Sequence, residues 1–323
     1  MNNVRASAPG KVVLSGEYAV LHGAPAVCMA VNRRAVASVS KTNTEWNSVS
    51  APGYSTVEGR FVQEKAAPRW LQGGDEFPLV DAAWRTLAPS GDDRLHIELD
   101  TRAFHDKASG TKLGLGSSAA LTVALTAALA PSGKLLDRAL RVHRRLQSGV
   151  GSGVDVATSL SGGLLEYRMH GATCSSLSWP EGLSYRLIWS GVPASTAGKL
   201  QRLQKAGHRQ SKDALLRSAA SMASAWRSAT TVLNQLPDYI ETLREFSDDY
   251  DLGIFAAGHD KLVAEALAAG LVYKPCGAGG GDVGILMGTN IEQLDEFLTH
   301  PTVSGRHILE CEIDMQGVER KRL

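Results

Sequence analysis

The segment from Lys112 to Leu129 constrains this chain most. A turn with glycines at 114 and 116 runs straight into a pattern of Ala, Leu, Val and Thr that is apolar almost all round. A helix without a polar face belongs in the middle of a domain, so Ser117–Leu129 is expected to be covered on every side. Glycines let the preceding backbone turn tightly and approach a ligand. The helix aims its unpaired N–H groups and positive dipole end back into that turn. Together these make a phosphate cradle, to which Ser117 and Ser118 add hydroxyls that can bond phosphate or ligate Mg²⁺. The same letters also describe a plain turn with serine as an ordinary helix cap, so the rest of the chain must decide.

Two further glycine elements flank it. Near the start stand Ala8-Pro9-Gly10-Lys11 and Ser15-Gly16-Glu17-Tyr18. Near the end stands Lys274-Pro275-Cys276-Gly277-Ala278-Gly279-Gly280-Gly281-Asp282, with a glycine density that ordinary packing rarely needs. A flexible hairpin tip is the plain alternative for that third loop. No G-x-x-x-x-G-K-[ST] string occurs, which excludes a Walker A loop. Gly114 to Ala119 fits the relaxed dinucleotide pattern, but the strand pattern ending at Leu99 lies too far upstream for that fold.

The 323 residues are 43% hydrophobic and 21% charged, enough for a substantial core. A net charge of +1 supplies no global field toward nucleic acid or an anionic membrane, so neither is expected as a partner. Any anionic ligand must then be held by local charges. Cys28, Cys174, Cys276 and Cys311 are too scattered for a zinc site or a disulfide framework. The N-terminus has no apolar signal core, and a cytoplasmic protein is expected, as monomer or homodimer.

Periodicity predicts strands within 4–40, a polar, turn-rich excursion over 41–75, a helix over 79–87 and a strand over 95–99. Beyond the central helix it predicts helices over 134–147 and 153–160, and strands over 163–168 and 185–190. Helices should dominate 197–269, with breaks near Pro237 and Gly253. Strands over 283–287 and 306–313 should bracket a helix over 291–298. This mixing without a regular βαβ rhythm indicates an α+β fold. The polar stretch 171–183 suggests a division into domains of 1–178 and 179–323.

Taken in order, the three glycine elements resemble the three signature motifs of the GHMP kinase superfamily, from the start of the chain to its end. The resemblance implies the GHMP kinase fold, with an N-terminal half like domain 2 of ribosomal protein S5, a ferredoxin-like C-terminal half, and the active site between them. Gly151-Ser152-Gly153-Val154-Asp155-Val156-Ala157 and the Lys274–Asp282 loop are similar to the phosphomevalonate kinase branch; mevalonate kinases tend to read P-S-G-x-D-N at the former. The implied activity is transfer of phosphoryl from ATP to 5-phosphomevalonate. Mevalonate or another small molecule is the alternative acceptor. A pathway decarboxylase and a non-catalytic metabolite binder would share the fold.

The resemblance also assigns roles. Gly114, Leu115, Gly116, Ser117, Ser118 and Ala119 would hold ATP, with Ser118 near Mg²⁺. Lys11, Lys112 and Asp155 would be catalytic. The phosphorylated acceptor would meet Ser152, Gly153, Ser195, Gly279, Gly280 and His22. Asp155 would serve as general base toward a hydroxyl, or orient Lys11 or the acceptor if that acceptor is already a phosphate. Mevalonate kinases carry a Mg²⁺-binding Glu on the helix before Gly149. Here that helix reads Arg141-Val142-His143-Arg144-Arg145-Leu146-Gln147, with no acid. Ser118, ATP oxygens and water are then the expected metal ligands, and Arg144 and Arg145 a solvated face.

Overall fold

The computed structural model describes residues 3–65, 67–89, 93–130, 133–147, 149 and 151–323. Two antiparallel strands, β1 (Val4–Ser15) and β2 (Ala26–Thr42), form the spine of a large sheet. Both are rich in Val and Ala, small residues that leave room for a helix to lie close. β3 (Asn47–Ala51), β4 (Ser55–Glu64) and β5 (Ala67–Gln72) extend this sheet through β6 (Arg94–Asp100), in the order β1-β2-β6-β3-β4-β5. The excursion expected over 41–75 is therefore three paired strands. Asn47 and Ser48 are buried along with Phe61, whose ring centroid lies 4.9 Å from that of Trp70 and 4.8 Å from that of Trp84. Trp84 belongs to α1 (Pro78–Leu87).

The central helix, α2 (Ser117–Leu129), packs against β1 and β2 and buries every residue except Ser118 and Leu121. Its buried threonines are satisfied locally: the Thr122 hydroxyl donates to Ser118 O at 2.8 Å and that of Thr126 to Thr122 O at 2.7 Å. Around it lie α3 (Leu135–Leu146) and α4 (Val154–Ser161). β7 (Leu164–Arg168) pairs with the first part of β2, and β8 (Thr173–Leu177) pairs with β7.

A second, four-stranded antiparallel sheet follows. It is built from β9 (Ser184–Trp189), β10 (Val272–Pro275), β11 (Val283–Gly288) and β12 (His307–Leu309), in the order β10-β11-β9-β12. The intervening helices are α5 (Thr196–Lys205), α6 (Gln210–Ala225), α7 (Ala229–Asp249) and α8 (His259–Ala268); α9 (Ile291–Phe297) lies between β11 and β12. Pro237 does not break α7. Leu236, Tyr239 and Ile240 on either side of it are buried, and that anchoring outweighs the lost N–H. The break near Gly253 is present, between α7 and α8.

The link between β8 and β9 contains the 178/179 division read from the sequence. The last strand, β13 (Glu319–Arg322), nevertheless crosses back to pair with β1. One hydrophobic cluster joins Leu14 and Met29 of the large sheet to Trp226, Leu236 and Ile285 of the second half. No helix among the described residues is long and apolar enough to cross a membrane.

Candidate active site

The three glycine elements converge where the two halves meet. A β-bulge between Pro9 and Gly10 turns β1 toward the central loop, and Lys11 N donates to Leu115 O at 2.8 Å. A side chain at position 10 would overlap that carbonyl and the Phe104 ring, so only glycine permits the approach. Gly116 stands at the N-cap of α2 with φ +79° and offers no capping side chain. The first paired N–H of the turn is that of Ala120, to Gly116 O at 3.1 Å. The N–H groups ahead of it are left for a ligand. A Cβ at 116 would lie 2.9 Å from Lys11 Cε, and one at 114 would collide with Asp282.

The third loop is held on several sides, which removes the flexible-tip reading. Tyr18 Oη donates to Ala278 O at 2.7 Å, and Lys199 Nζ donates to Ala278 O at 3.0 Å and Gly279 O at 2.6 Å. His259 Nε2 lies 3.0 Å from Gly281 O, and Ala194 N donates to Asp282 Oδ1 at 3.0 Å. Underneath lies a buried ion pair between Glu17 and Lys274, 2% and 0% exposed, with Tyr239 Oη donating to Glu17 Oε2 at 2.7 Å. That pair ties the first motif to the base of the third loop.

A cleft of about 200 Å³ opens between these loops, lined by Lys11, Lys112, Gly114–Ser118, Asp155, Gly277 and Asp282. Lys11 Nζ lies 3.2 Å from Asp155 Oδ1. Burial works most strongly, to discharge that ammonium, but Asp155, with Cys28 and Asp282, holds the Lys11 pKa above the ordinary lysine value. Burial likewise raises the Asp282 carboxyl, against the pull of the Ala194 N–H and of Lys11, Lys199 and Lys112. A wider pocket of about 500 Å³ adjoins the cleft and shares Lys11, Val13, Asp155, Thr196, Gly277 and Ala278 with it. Val20, Leu21, Val154 and Leu200 give its remaining wall an apolar part, interrupted by His143, Gln147, Ser152, Gln201 and Gln204.

Residues 79–163 match the GHMP kinases N terminal domain. The chain thus carries a GHMP kinase N-terminal domain. A phosphomevalonate kinase of Streptomyces sp. (strain CL190) is 28% identical, over 87% of this chain and 88% of that protein. The mevalonate kinase of Bos taurus is 29% identical, over 93% and 89%. Those identities do not separate the two kinds of kinase. The Streptococcus pneumoniae phosphomevalonate kinase in complex with phosphomevalonate and AMPPNP has a TM-score of 0.75 at 16% identity, covering 96% of this chain and 99% of that one, a likeness of fold.

The residues singled out from sequence are distributed unevenly. Lys11, Lys112, Asp155, Gly114, Leu115, Gly116, Ser117 and Ser118 share the narrow cleft, and Ser152 and Gly153 line the wider pocket. Ala119 is buried inside α2 and lines neither cavity. Ser195 is exposed at the N-cap of α5, and it is the next residue, Thr196, that faces both cavities. Gly279 and Gly280 are packed against Ile254, Gly253 and Lys199, so their missing side chains serve loop packing. His22 is exposed on the short turn Ala19–His22, outside both cavities. Sequence reasoning passed over Tyr18, His143, Gln147 and Thr196, which line the pocket from elements distant in the chain.

Mg²⁺ fits this site on modest terms. No group of three or more His, Cys, Asp or Glu side chains gathers into a metal site among the described residues. Ser118 and Asp155 both line the cleft, enough for an ion that keeps much of its water and travels with nucleotide phosphates.

Proposed function

We propose that the chain is an ATP-dependent phosphotransferase that converts 5-phosphomevalonate and ATP to 5-diphosphomevalonate and ADP. The observation that carries this reading is the sharing of one cleft by Lys11, Lys112 and the Gly114–Ser118 backbone. Two phosphate-bearing substrates repel each other, and joining them requires cations fixed between them; phosphoryl transfer is otherwise mostly positioning. The backbone N–H groups at the start of α2 hold the β- and γ-phosphates of ATP. Lys112 reaches donor and acceptor phosphates from the cleft rim. A bound Mg²⁺, met by the Ser118 hydroxyl, would neutralise charge on the ATP tail.

An oxygen of the acceptor phosphate bonds to the γ-phosphorus while the bond from that phosphorus to the β–γ bridging oxygen breaks. Because that acceptor oxygen is already deprotonated near neutral pH, the step needs no base. Asp155 then serves to keep Lys11 charged and aimed, which its 3.2 Å ion pair suits. The same carboxylate, one-third exposed, favours a second reading in which it takes a proton from the hydroxyl of mevalonate. Steady-state assays with ATP and each acceptor decide between them: a higher kcat/KM for 5-phosphomevalonate supports the first, and a higher value for mevalonate overturns it.

A further inference from the structure

The stretch 141–147, without an acid to offer a metal, has another use. Leu140, His143 and Gln147 of α3 and the turn after it follow helical spacing and share a face. Leu140 packs under Gly153, and the Gln147 side chain lies against Gly151, so this face is pressed onto the glycine turn ahead of Asp155. His143 between them lines the wider pocket and is 5% exposed. Its ring nitrogens make no hydrogen bond to any described residue. The ring borders a cavity of about 500 Å³, where an unpartnered nitrogen can meet a ligand. Burial holds the imidazole pKa below its ordinary value, more strongly than the Asp155 charge raises it, so the ring is neutral with one N–H to donate.

We propose that His143 is an acceptor-binding residue, donating a hydrogen bond to an oxygen at the hydroxy-acid end of the acceptor, remote from the transferred phosphoryl group. Lys11 and Asp155 lie at the junction of cleft and pocket, so an acceptor reacting there extends its other end into the pocket. The apolar wall suits a branched carbon chain, whose oxygens must find donors among the polar side chains that interrupt it, His143 and Gln147 on this face and Ser152, Gln201 and Gln204 elsewhere. Besides Lys11, the pocket offers no cation among the described residues, and a neutral donor such as His143 meets that need.

The inference rests on the proposed reaction and is tested with ATP and either 5-phosphomevalonate or mevalonate, whichever the parent enzyme turns over. His143→Leu should raise the acceptor KM about 10-fold or more while leaving the ATP KM within about twofold. His143→Gln, which keeps an N–H donor, should recover most of the loss. Calorimetric titration of the same acceptor into each variant should show the same ranking without turnover. An unchanged acceptor KM in His143→Leu, equal rises in both KM values, or no rescue by Gln overturns the assignment. Preference of the parent for mevalonate would overturn the acceptor reading alone, with His143 then judged by the same split on mevalonate. Failure of the parent to bind or phosphorylate either acceptor overturns both.

Discussion

Glu17 and Lys274 form a fully buried ion pair across 257 residues of sequence, and they do so directly beneath the loops that shape the cleft. The lysine also donates to Pro275 O at 2.7 Å, and Tyr239 Oη, besides donating to Glu17, accepts from Gly16 N at 2.8 Å. Every charge in this cluster is therefore met by a hydrogen bond as well as by its partner. Such a pair adds little net stability against an apolar replacement, but removing one member strands the other. What it fixes is the register of the first motif against the third loop.

Lys274→Met should accordingly destabilise the protein by about 3–5 kcal/mol in urea unfolding, because it leaves the Glu17 charge buried and alone. Glu17→Leu combined with Lys274→Met should regain much of that stability while activity stays low, since the loops lose their common anchor. Recovery of activity along with stability would show that the pair has no part in aligning the site.

His259 gives a pH signature. Gly281 O can only accept, so Nε2 carries the proton and Nδ1 accepts from Tyr273 Oη at 2.8 Å. Burial pushes the pKa of this histidine down to about 4, against the raising effect of the Gly281 bond. The unfolded chain binds a proton near pH 6.5, where the folded state resists it. The contribution to stability is thus full above that pH and is lost as pH falls toward 4, by about 3 kcal/mol in all. Unfolding free energies of the parent and of His259→Gln, measured across this range, should diverge by that slope. Parallel curves would rule His259 out as its source.

How much of this was legible in the sequence follows from the range of the forces involved. The central helix and the glycine turns depend on neighbours within a few positions, and they stand where the letters put them. The strands β3 to β5 were hidden because their burial comes from Phe61, Trp70 and Trp84 meeting across elements. β13 was hidden because Glu319-Arg320-Lys321-Arg322 reads as a charged tail, though an edge strand needs only a partner for its backbone. Lys274 looked like a loop flank, and His143 sat in a run of basic residues whose Arg144 and Arg145 are indeed exposed. Burial of a charge or a ring inside a polar string has no local signal; the partner, or the empty pocket, is supplied by distant chain.

A third prediction concerns the protonation of Lys11. Burial is the largest influence and lowers its pKa, but Asp155, together with Cys28 and Asp282, holds it above the ordinary value. In Asp155→Asn the carboxylate is gone and burial is opposed only by weaker, more distant charges. The alkaline limb of the kcat/KM profile should then move to lower pH than in the parent. Superimposable alkaline limbs would mean that Lys11 is not the group being titrated, or that Asp155 does not control it.

The last prediction separates charge neutralisation from proton abstraction. Lys112 is fixed at the cleft rim by a β-bridge to His105, and with Lys11 it supplies the cleft's cations. If the acceptor is a phosphate, removing Lys112 leaves several negative charges facing one another with a single ammonium between them. Deleting one charge-assisted hydrogen bond in a site of low polarity costs about 2–4 kcal/mol of transition-state stabilisation, or roughly 30- to 1,000-fold in rate. Asp155→Asn, by contrast, takes away no group that binds phosphate. It should reduce kcat near neutral pH by less than about 10-fold, because Lys112 and the loop N–H groups that meet phosphate stay in place. Lys112→Ala should therefore be the more damaging change with 5-phosphomevalonate. With a hydroxyl acceptor the ranking reverses, since the proton must then leave to Asp155 and only one substrate brings phosphate to the cleft. Measuring kcat for both variants with 5-phosphomevalonate and with mevalonate reads this directly. A larger loss in Asp155→Asn, together with faster turnover of mevalonate by the parent, would assign the enzyme to hydroxyl phosphorylation.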